Sequence, residues 1–399
     1  MSTSVAAGRG VSISGRTAGW AGIALGVLAA WIALPPLLIR TPAVSVVLAA
    51  VGVAAGYYAT RQGDRRLGWI AVGMAVLGAL LAVIAVKSGE GNLDRVFVWS
   101  ALTAGMLRFA TPLIFGAMGG ILSERSGVIN IGLEGMMLMG AFFGIFGADL
   151  FGSWFLGIAV GIAAGALMGL LHAFVSIRLR ADQVVSGTGI NILAIGITGY
   201  VFIYHYGDQG TPSDISRVPT VTLPLIENIP FIGDAIGHMN LLTWAALLLV
   251  PILSVFLFRT RGGLRLRSVG EKPRAADSLG LPVLRTRYLA VTASGALAAV
   301  GGVYLSTALL GSFNEQMTAG RGFIALAAVI FGSWRPFGAL AGALLFGFST
   351  ALAQRLPAFS ESTAVLFQAL PYVLTLVVVA GVIGRSRPPA AIGVPYVKE

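Results

Sequence analysis

The sequence predicts an all-α polytopic membrane protein with about 10–12 transmembrane helices. Of its 399 residues, 56% are hydrophobic and only 11% are charged, whereas a soluble globular chain carries about 25% charged residues. Apolar runs of about 20 residues, the length that crosses a bilayer as a helix, recur along the chain. Short connections that contain arginine separate these runs, which is typical of cytoplasmic loops.

Twelve apolar runs are candidate spans. They lie near residues 18–39, 43–60, 67–86, 97–122, 128–149, 154–177, 184–206, 241–258, 288–310, 322–334, 338–354 and 363–384. The run at 322–334 is too short to cross as an ordinary helix, so we expect a re-entrant segment or half of a broken helix. The first run is longer than the core of a signal peptide and ends at no A-x-A site, so it is predicted to remain as a span.

The basic residues of the loops predict the orientation. The connection 259–287 contains Arg259, Arg261, Arg265, Arg267, Lys272, Arg274, Arg285 and Arg287. This loop is therefore predicted to be cytoplasmic, and counting spans from it places both termini and the SERSG turn at 123–127 on the same side. The stretch 207–240 has four acidic residues against one arginine and is predicted to face the exterior. The expected location is the cell membrane.

The composition excludes several classes of function. The net charge of +11 lies mostly in short loops between apolar runs, which indicates a lipid bilayer and not nucleic acid as the partner. The absence of cysteine excludes disulfides, thiolate catalysis and cysteine-based zinc sites. His172, His205 and His238 lack the spacing of metal ligands and are expected to be packed or hydrogen-bonded. No catalytic residue, cofactor site or metal site is predicted.

The chain has no Walker-type nucleotide site. Its lysines stand at positions 87, 272 and 398, and none follows a glycine, whereas a P-loop places a lysine directly after glycine. The protein is therefore predicted not to be an enzyme. Transport would use an ion gradient, passive conduction or the ATPase of a partner chain.

Residues 123–142 (SERSGVINIGLEGMMLMGAF) combine an apolar run with polar groups and glycines. Irregular backbone at membrane depth is tolerated only where it is buried in protein or lines water. We therefore predict a helix break near 130–135, with Asn130 and Glu134 facing a translocation pathway or its gate. In the alternative interpretation Glu134 is a structural anchor for Arg108, the other clear intramembrane charge, or for backbone donors.

The sequence GRG at 320–322 echoes GLEG at 132–135, and the loop count places the two at opposite sides of the membrane. Such a pair is typical of inverted repeats with broken helices. The predicted counterparts of the first site, near the outer entrance, are Phe313, Asn314, Glu315, Arg321 and Phe323, with the two phenylalanines offering ring faces to a base or a sugar. The glycines at 157, 161, 165 and 169 share one helix face, which favours close helix packing over a hinge.

Within 259–287, a short helix around 272–280 is predicted to begin at Pro273 and to end at Gly280. The segment from Leu266 to Ser306 resembles the cytoplasmic coupling region of ABC-importer permeases of the ribose and branched-chain amino acid class. FATPLIFGAMGGILSERSGVINIGLEGMMLMGAF (109–142) and FNEQMTAGRGFIALAAVIFGSWRPFGALAGALLFG (313–347) are similar to the nucleoside-type permeases of that class. The resemblance covers about 96–385 and defines the permease core. Residues 1–95, with three extra spans, are expected to be an accessory membrane region, and 386–399 a cytoplasmic tail.

The resemblance implies a permease subunit that moves nucleosides and binds no cofactor itself. It implies a second permease subunit (a paralogue or a copy of the chain), an extracytoplasmic substrate-binding protein, and a cytoplasmic ABC ATPase that uses ATP. The coupling loop would dock on the ATPase through polar Glu271 and Arg274 and through an apolar face of Ala275, Ala276 and Leu279, in a frame set by Gly270, Pro273 and Gly280.

Three alternatives remain. In the first, the chain is a permease of the same class whose substrate is a simple sugar such as ribose instead of a nucleoside. An ion-coupled secondary transporter would need more embedded carboxylates than Glu134. A membrane enzyme would need clustered His, Asp or Glu, which the sequence lacks.

Overall fold

The computed structural model describes residues 14–33, 42–87, 98–229, 231–355 and 388–397. These residues fall into two compact units, of which the smaller contains the first three helices and the larger contains residues 100–354 together with 388–397. The accessory role of residues 1–95 stays a prediction.

The smaller unit consists of α1 (Gly15–Ala33), α2 (Pro42–Arg61) and α3 (Arg65–Lys87). Its buried positions are almost all glycines and alanines: Ala29, Ala59 and Ala71 are fully enclosed, while Trp20 and Trp69 are 59% and 65% exposed. Small residues allow helices to approach closely in lipid, where apolar bulk alone gives no reason to associate.

The larger unit begins with four long helices. These are α4 (Trp99–Arg125), α5 (Leu133–Phe151), α6 (Trp154–Ala173, extended by a π-helical turn Phe174–Arg178) and α7 (Gln183–Tyr206). Asp182 caps α7 by accepting hydrogen bonds from the backbone N–H groups of Val184 and Val185. Helix α5 ends at Gly152, whose φ of 63° is left-handed.

The connection 207–240, made of several short elements, separates these helices from the second half. It contains a 3₁₀ turn Gly207–Gln209, strand β1 (Thr220–Thr222), helix α8 (Pro224–Glu227), a π-helical turn Gly233–Gly237 and strand β2 (His238–Asn240). The two strands pair antiparallel, with Thr222 opposite His238 and Thr220 opposite Asn240.

The second half contains α9 (Leu241–Arg259), the hairpin of α10 (Arg261–Glu271) and α11 (Pro273–Ser278), α12 (Val283–Val303, extended by a π-helical segment Tyr304–Leu310), α13 (Arg321–Phe331) and α14 (Pro336–Arg355). The main hydrophobic core joins residues of α4, α9, α12, α13 and α14.

Eight helices among the described residues are long and apolar enough to cross a membrane, which confirms the predicted all-α polytopic class. The run predicted at 322–334 forms α13, which has 11 residues and is too short to cross. Within the run predicted at 128–149, the helix begins only at Leu133. The run predicted at 363–384 lies outside the described residues.

The glycine stripe of α6 confirms the packing interpretation. It lies against α5 and α12. A Cβ added at Gly165 would stand 2.6 Å from the carbonyl oxygen of Gly295, inside any real Cβ contact. A side chain there would force the two backbones apart.

Candidate functional site

The predicted break lies between α4 and α5. Gly127 turns the chain with a φ of +92°, and residues 128–130 have no regular secondary structure. The Ser123 hydroxyl donates to the carbonyl of Val128 at 2.7 Å, which closes the turn. The structure thus places the break at 126–132, and the polar side chains of the motif straddle the first turn of α5.

Side chains of α6 and α7 satisfy the backbone of the break. The N–H of Ile129 donates to Gln183 Oε1 at 2.7 Å, and His172 Nε2 lies 3.0 Å from the Ile129 carbonyl. His172 Nδ1 lies 2.9 Å from the Ser186 hydroxyl. The expectation of a hydrogen-bonded His172 is confirmed.

Asn191 of α7 holds the beginning of α5. Its Oδ1 accepts the N–H of Gly135 at 2.8 Å and its Nδ2 donates to the Ile131 carbonyl at 3.1 Å. Asn191 therefore pairs one of the orphan donors that every helix N-terminus leaves. Asn191 thus bonds one backbone donor and one backbone acceptor at this junction, which holds the break and the start of α5 against α7.

Asn130 is fully buried, and its Nδ2 donates to the Ser294 hydroxyl of α12 at 3.0 Å. Its Oδ1 has no partner among the described residues. The structure encloses this side chain in protein, so Asn130 lines no open surface here, and its role at the pathway or its gate stays a prediction. Asn130 instead joins the break to α12.

Glu134 connects the two glycine-rich blocks. Its carboxylate accepts the N–H of Gly320 at 2.8 Å and the N–H of Gly322 at 2.6 Å. Both donors belong to the N-terminus of α13. A Cβ at position 322 would lie 2.4 Å from the backbone nitrogen of Glu134, so the N-termini of α5 and α13 meet at close range.

The carboxylate therefore lies where the positive ends of two helix dipoles meet, and it pairs donors that would otherwise be orphaned. Of the two interpretations of Glu134, this geometry matches the anchor for backbone donors. Arg108 is not its partner, since the guanidinium lines a separate cavity.

The remaining predicted pathway residues do not form one surface. Phe313 is 2% exposed, and its ring centroid lies 5.1 Å from that of Phe142 and 5.3 Å from that of Phe202. The prediction that Phe313 offers a free face does not fit this structure, because its ring is buried and packs against Phe142 and Phe202. Asn314 and Glu315 are exposed, and Phe323 is 48% exposed.

Arg321 is half-buried. Its Nη1 donates to the carbonyls of Met317 and Thr318 at 2.9 and 3.0 Å. The guanidinium thus stabilises the loop that leads into α13.

Arg108 lies in α4 and lines a cavity of about 380 Å³. The other charged or polar residues of its wall are Thr220, Asp234, His238, Asn240, Thr243 and Tyr304. Sequence analysis identified Arg108 as an unusual charge but had no means of grouping it with a connection more than 100 residues away. Within the described residues, no three His, Asp or Glu side chains come together to hold a metal ion.

The short helix predicted around 272–280 is confirmed as α11, and its role in coupling stays a prediction. Pro273 begins it, and Gly280, with a φ of +75°, ends it through hydrogen bonds from the N–H groups of Gly280 and Leu281 to the carbonyls of Asp277 and Ala276. Leu279 is 81% exposed. Glu271, Arg274 and Ala275 are also exposed.

Ala276 does not belong to this exposed face. It is 3% exposed and packs with Val269, Val283 and Tyr396. Its assignment to the docking surface is wrong, because the C-terminal segment covers it. Gly270 is also internal, since a Cβ there would stand 2.1 Å from the Arg125 carbonyl oxygen.

Arg287 is a buried side chain that bonds two separate backbone segments of this region. The sequence pattern places it among the basic residues of the loop, yet it is 1% exposed. Its Nε donates to the Ser126 carbonyl at 3.1 Å and its Nη1 to the Val394 carbonyl at 3.0 Å. The segment 388–397 also pairs with the carbonyls of Gly270 and Gly127 through the N–H groups of Ala391 and Gly393. The predicted tail is thus a structural strap between the hairpin and the break.

The sequence analysis did not identify four residues whose side chains bond the break between α4 and α5 or the start of α5. These are Gln183, Asn191, Ser294 and Arg287. Two of them, Gln183 and Asn191, are amides at the start of an otherwise apolar run. Polar side chains there would have indicated an interior face.

Comparisons with known proteins extend this picture. The family described as "Branched-chain amino acid transport system / permease component" matches residues 102–379. The nucleoside ABC transporter permease protein NupC of Lactococcus lactis subsp. cremoris is 42% identical over 308 residues, which are 75% of this chain and 97% of that protein. The guanosine ABC transporter permease protein NupQ of Bacillus subtilis is 42% identical over 318 residues, 77% of this chain and 99% of that protein.

A third relative is named for a different substrate. The putative glucose ABC transporter permease protein TsgC13 of Haloferax volcanii is 39% identical over 263 residues, 64% of this chain and 78% of that protein. No solved structure matches the chain.

Proposed function

This chain belongs to the permease components of the branched-chain amino acid transport system family, and we propose that it is the transmembrane subunit of an ATP-binding cassette importer for nucleosides. One observation carries the proposal: two relatives that are 42% identical over nearly their whole length are named as nucleoside and guanosine permeases. The residues that the family model matches, 102–379, include both glycine-rich blocks and the hairpin of α10 and α11.

The site geometry supports transport by a pair of related half-units. Many transporters built from inverted repeats use discontinuous helices whose N-termini point towards a site in the middle of the protein. Helices α5 and α13 both begin at such breaks, and Glu134 links them. The inverted repeat expected from GLEG and GRG is part of this proposal.

The energy source is proposed to be a cytoplasmic ATPase bound at the hairpin of α10 and α11. The chain has no Walker lysine of its own, and the exposed Leu279 beside Arg274 and Glu271 offers a small mixed surface. The other proposed partners are a second permease subunit and an extracytoplasmic binding protein. No cofactor is proposed for this chain.

The chain is a multi-pass membrane protein. Its proposed location is the cytoplasmic membrane, with both termini inside. The arginine-rich hairpin at one end of α9 and the acidic 207–240 connection at the other end support this orientation.

A simple sugar is the second candidate substrate. The 39% identity to a permease named for glucose favours it. Because the relatives include permeases named for nucleosides and a permease named for glucose, the substrate of this chain has to be tested directly.

The test is uptake by the reconstituted complex of this chain with its ATPase, second permease and binding protein. Labelled guanosine, uridine, ribose and glucose would be compared in proteoliposomes, with a hydrolysis-dead ATPase as the control. We expect ATP-dependent uptake of nucleosides that unlabelled ribose and glucose do not compete. Sugar uptake without nucleoside uptake would overturn the proposed substrate, and uptake that persists with the dead ATPase would overturn the mechanism.

A further inference from the structure

Arg108 is the starting point, because it is a cation placed inside a membrane-crossing helix. It lies nine residues from the Trp99 end of α4, about 14 Å along the helix axis. In the described part of the chain, no hydrogen bond or ion pair joins its guanidinium to another residue. A charge at such depth is expensive unless it faces water, a partner or a ligand.

The guanidinium faces a cavity of about 380 Å³ that several elements enclose. Helix α4 contributes Arg108, the connection contributes Asp234 and His238, and α9 contributes Thr243. The π-helical segment after α12 closes the remaining wall with Tyr304 and Ala308. A cation and a carboxylate thus stand on different walls of one chamber.

The walls are held in place without any ligand. Thr111 of α4 donates to the Thr243 hydroxyl at 3.1 Å, which fixes α4 against α9. Asn240 accepts the N–H of Leu242 and donates to the Val218 carbonyl, which fixes the end of β2. Small-molecule sites are usually preformed in this way.

The cavity lies at the outer end of the permease in the proposed orientation. Asn240 and Thr243 stand at the first residues of α9, whereas the arginine-rich hairpin follows its last residue, Arg259. Those ends are about 28 Å apart along a helix of this length. A substrate released outside the membrane would meet this cavity before the helix breaks.

The chemistry of the walls selects a neutral ligand with acceptors and donors. A guanidinium presents two parallel N–H groups that match adjacent acceptors, such as O6 and N7 of a guanine base. A carboxylate accepts hydrogen bonds from hydroxyls or amines, such as a ribose diol. The volume falls in the range of small-molecule pockets, about 300–1,000 Å³.

We infer that this cavity is an outer binding station for a purine nucleoside, with Arg108 on the acceptor edge of the base and Asp234 on donor groups of the ligand. The inference rests on the proposed function. It places first contact with substrate at Arg108 and not at Glu134. A carboxylate in the same chamber disfavours the phosphate of a nucleotide, so the station selects the uncharged nucleoside.

The chain contains no cysteine, so single cysteines report on this cavity in an otherwise native protein. Ala308→Cys places a thiol in the wall. Ser213→Cys is the matched control, because Ser213 is exposed in the same external connection and does not line the cavity. In the complete complex in proteoliposomes, the rate of modification by a membrane-impermeant methanethiosulfonate reagent would be measured with and without guanosine.

We expect guanosine at ten times its dissociation constant to slow modification of Ala308→Cys by about tenfold, as simple occupancy requires. Modification of Ser213→Cys should not change. Arg108→Met in the Ala308→Cys background should abolish protection, and Arg108→Lys should weaken it, because lysine keeps the charge but loses the fork. Arg217→Met, which removes an external cation that packs on Gly311 away from the cavity, should leave protection intact.

The outcomes separate the two levels of the argument. Nucleoside uptake by the single-cysteine complex without protection at position 308 would overturn the binding station and leave the proposed function standing. Protection that survives Arg108→Met would overturn the role of Arg108. Sugar uptake with no nucleoside uptake would overturn the proposed function itself.

Discussion

Replacing Glu134 by glutamine should destabilise the junction of α5 and α13. The carboxylate accepts two backbone N–H groups, from Gly320 and Gly322. Glutamine has one acceptor oxygen, so its NH₂ group would face one of these donors. That N–H is half-buried and would lose its only partner in the described structure.

The expected magnitude follows from these two bonds. A hydrogen bond to a charged group contributes about 1.5–3 kcal/mol net, and an anion at a helix N-terminus adds about 0.3–1 kcal/mol. Glu134→Gln loses one such bond and turns the other into a neutral one, so we expect a loss of about 2–4 kcal/mol. Glu134→Ala loses both bonds and should cost about 3–6 kcal/mol.

The assay is thermal unfolding of the purified complex together with substrate-stimulated ATP hydrolysis. Glu315→Gln is the matched control, because Glu315 is an exposed carboxylate in the loop before α13. A surface substitution of that kind changes stability by about 0.5 kcal/mol or less. We expect the highest unfolding midpoints for wild type and Glu315→Gln, a lower midpoint for Glu134→Gln, and the lowest for Glu134→Ala.

Two results would refute this reasoning. Glu134→Gln with the midpoint of wild type but altered transport would show a gate and not an anchor. Rescue of Glu134→Gln by Arg108→Met would show a charge pair between the two residues, which the geometry of Arg108 contradicts.

Three further predictions concern the cytoplasmic side and the N-terminus. Leu279→Asp should leave the unfolding midpoint unchanged and abolish substrate-stimulated ATPase activity, because Leu279 is exposed. Ala276→Arg should lower the midpoint itself, because Ala276 is buried. Equal midpoints for the two variants would contradict this distinction between an exposed and a buried position. Arg287→Met leaves two backbone carbonyls without their donor and should cost about 2–4 kcal/mol, measured as a lower midpoint that Arg285→Met does not share. Deleting residues 1–90 and supplying one replacement span should leave reduced uptake; normal insertion without assembly would make these residues part of the core.

The sequence predicted the breaks and the short elements because their signals are local. Glycines beside polar residues announce the break before Leu133, and a proline followed by a glycine seven residues later bounds α11. The length of α13 also follows from its apolar run. Local backbone preference decides such features, so a linear pattern suffices.

The partners of the charged groups were beyond the sequence because they are distant. Glu134 binds backbone groups 186 and 188 residues away, and backbone donors have no residue identity to recognise. Arg287 reads as a loop cation, yet the strap at 388–397 encloses it. A single sequence contains no signal for which loop folds over which side chain.

Ala276 illustrates the same limit on a smaller scale. A helix of six residues is too short for periodicity to define a buried face. The face is decided by Tyr396, which packs against Ala276 from the end of the chain. The exposed neighbour Leu279 has the more apolar side chain, so hydrophobicity alone ranks the two positions in the wrong order.

Pairing also explains why the break and the outer cavity have different roles. At the break, Glu134, Asn191 and His172 already hold backbone groups or side chains. A substrate that bound there would have to displace these bonds, and the unpaired polar atoms that the described residues leave at the break, Asn130 Oδ1 and Arg287 Nη2, belong to fully buried side chains. Arg108 and Asp234 face open volume instead, so a ligand gains their hydrogen bonds without breaking any. A transport pathway must release what it binds, so we expect the paired groups at the break to hold the framework and the unpaired groups of the cavity to contact the substrate.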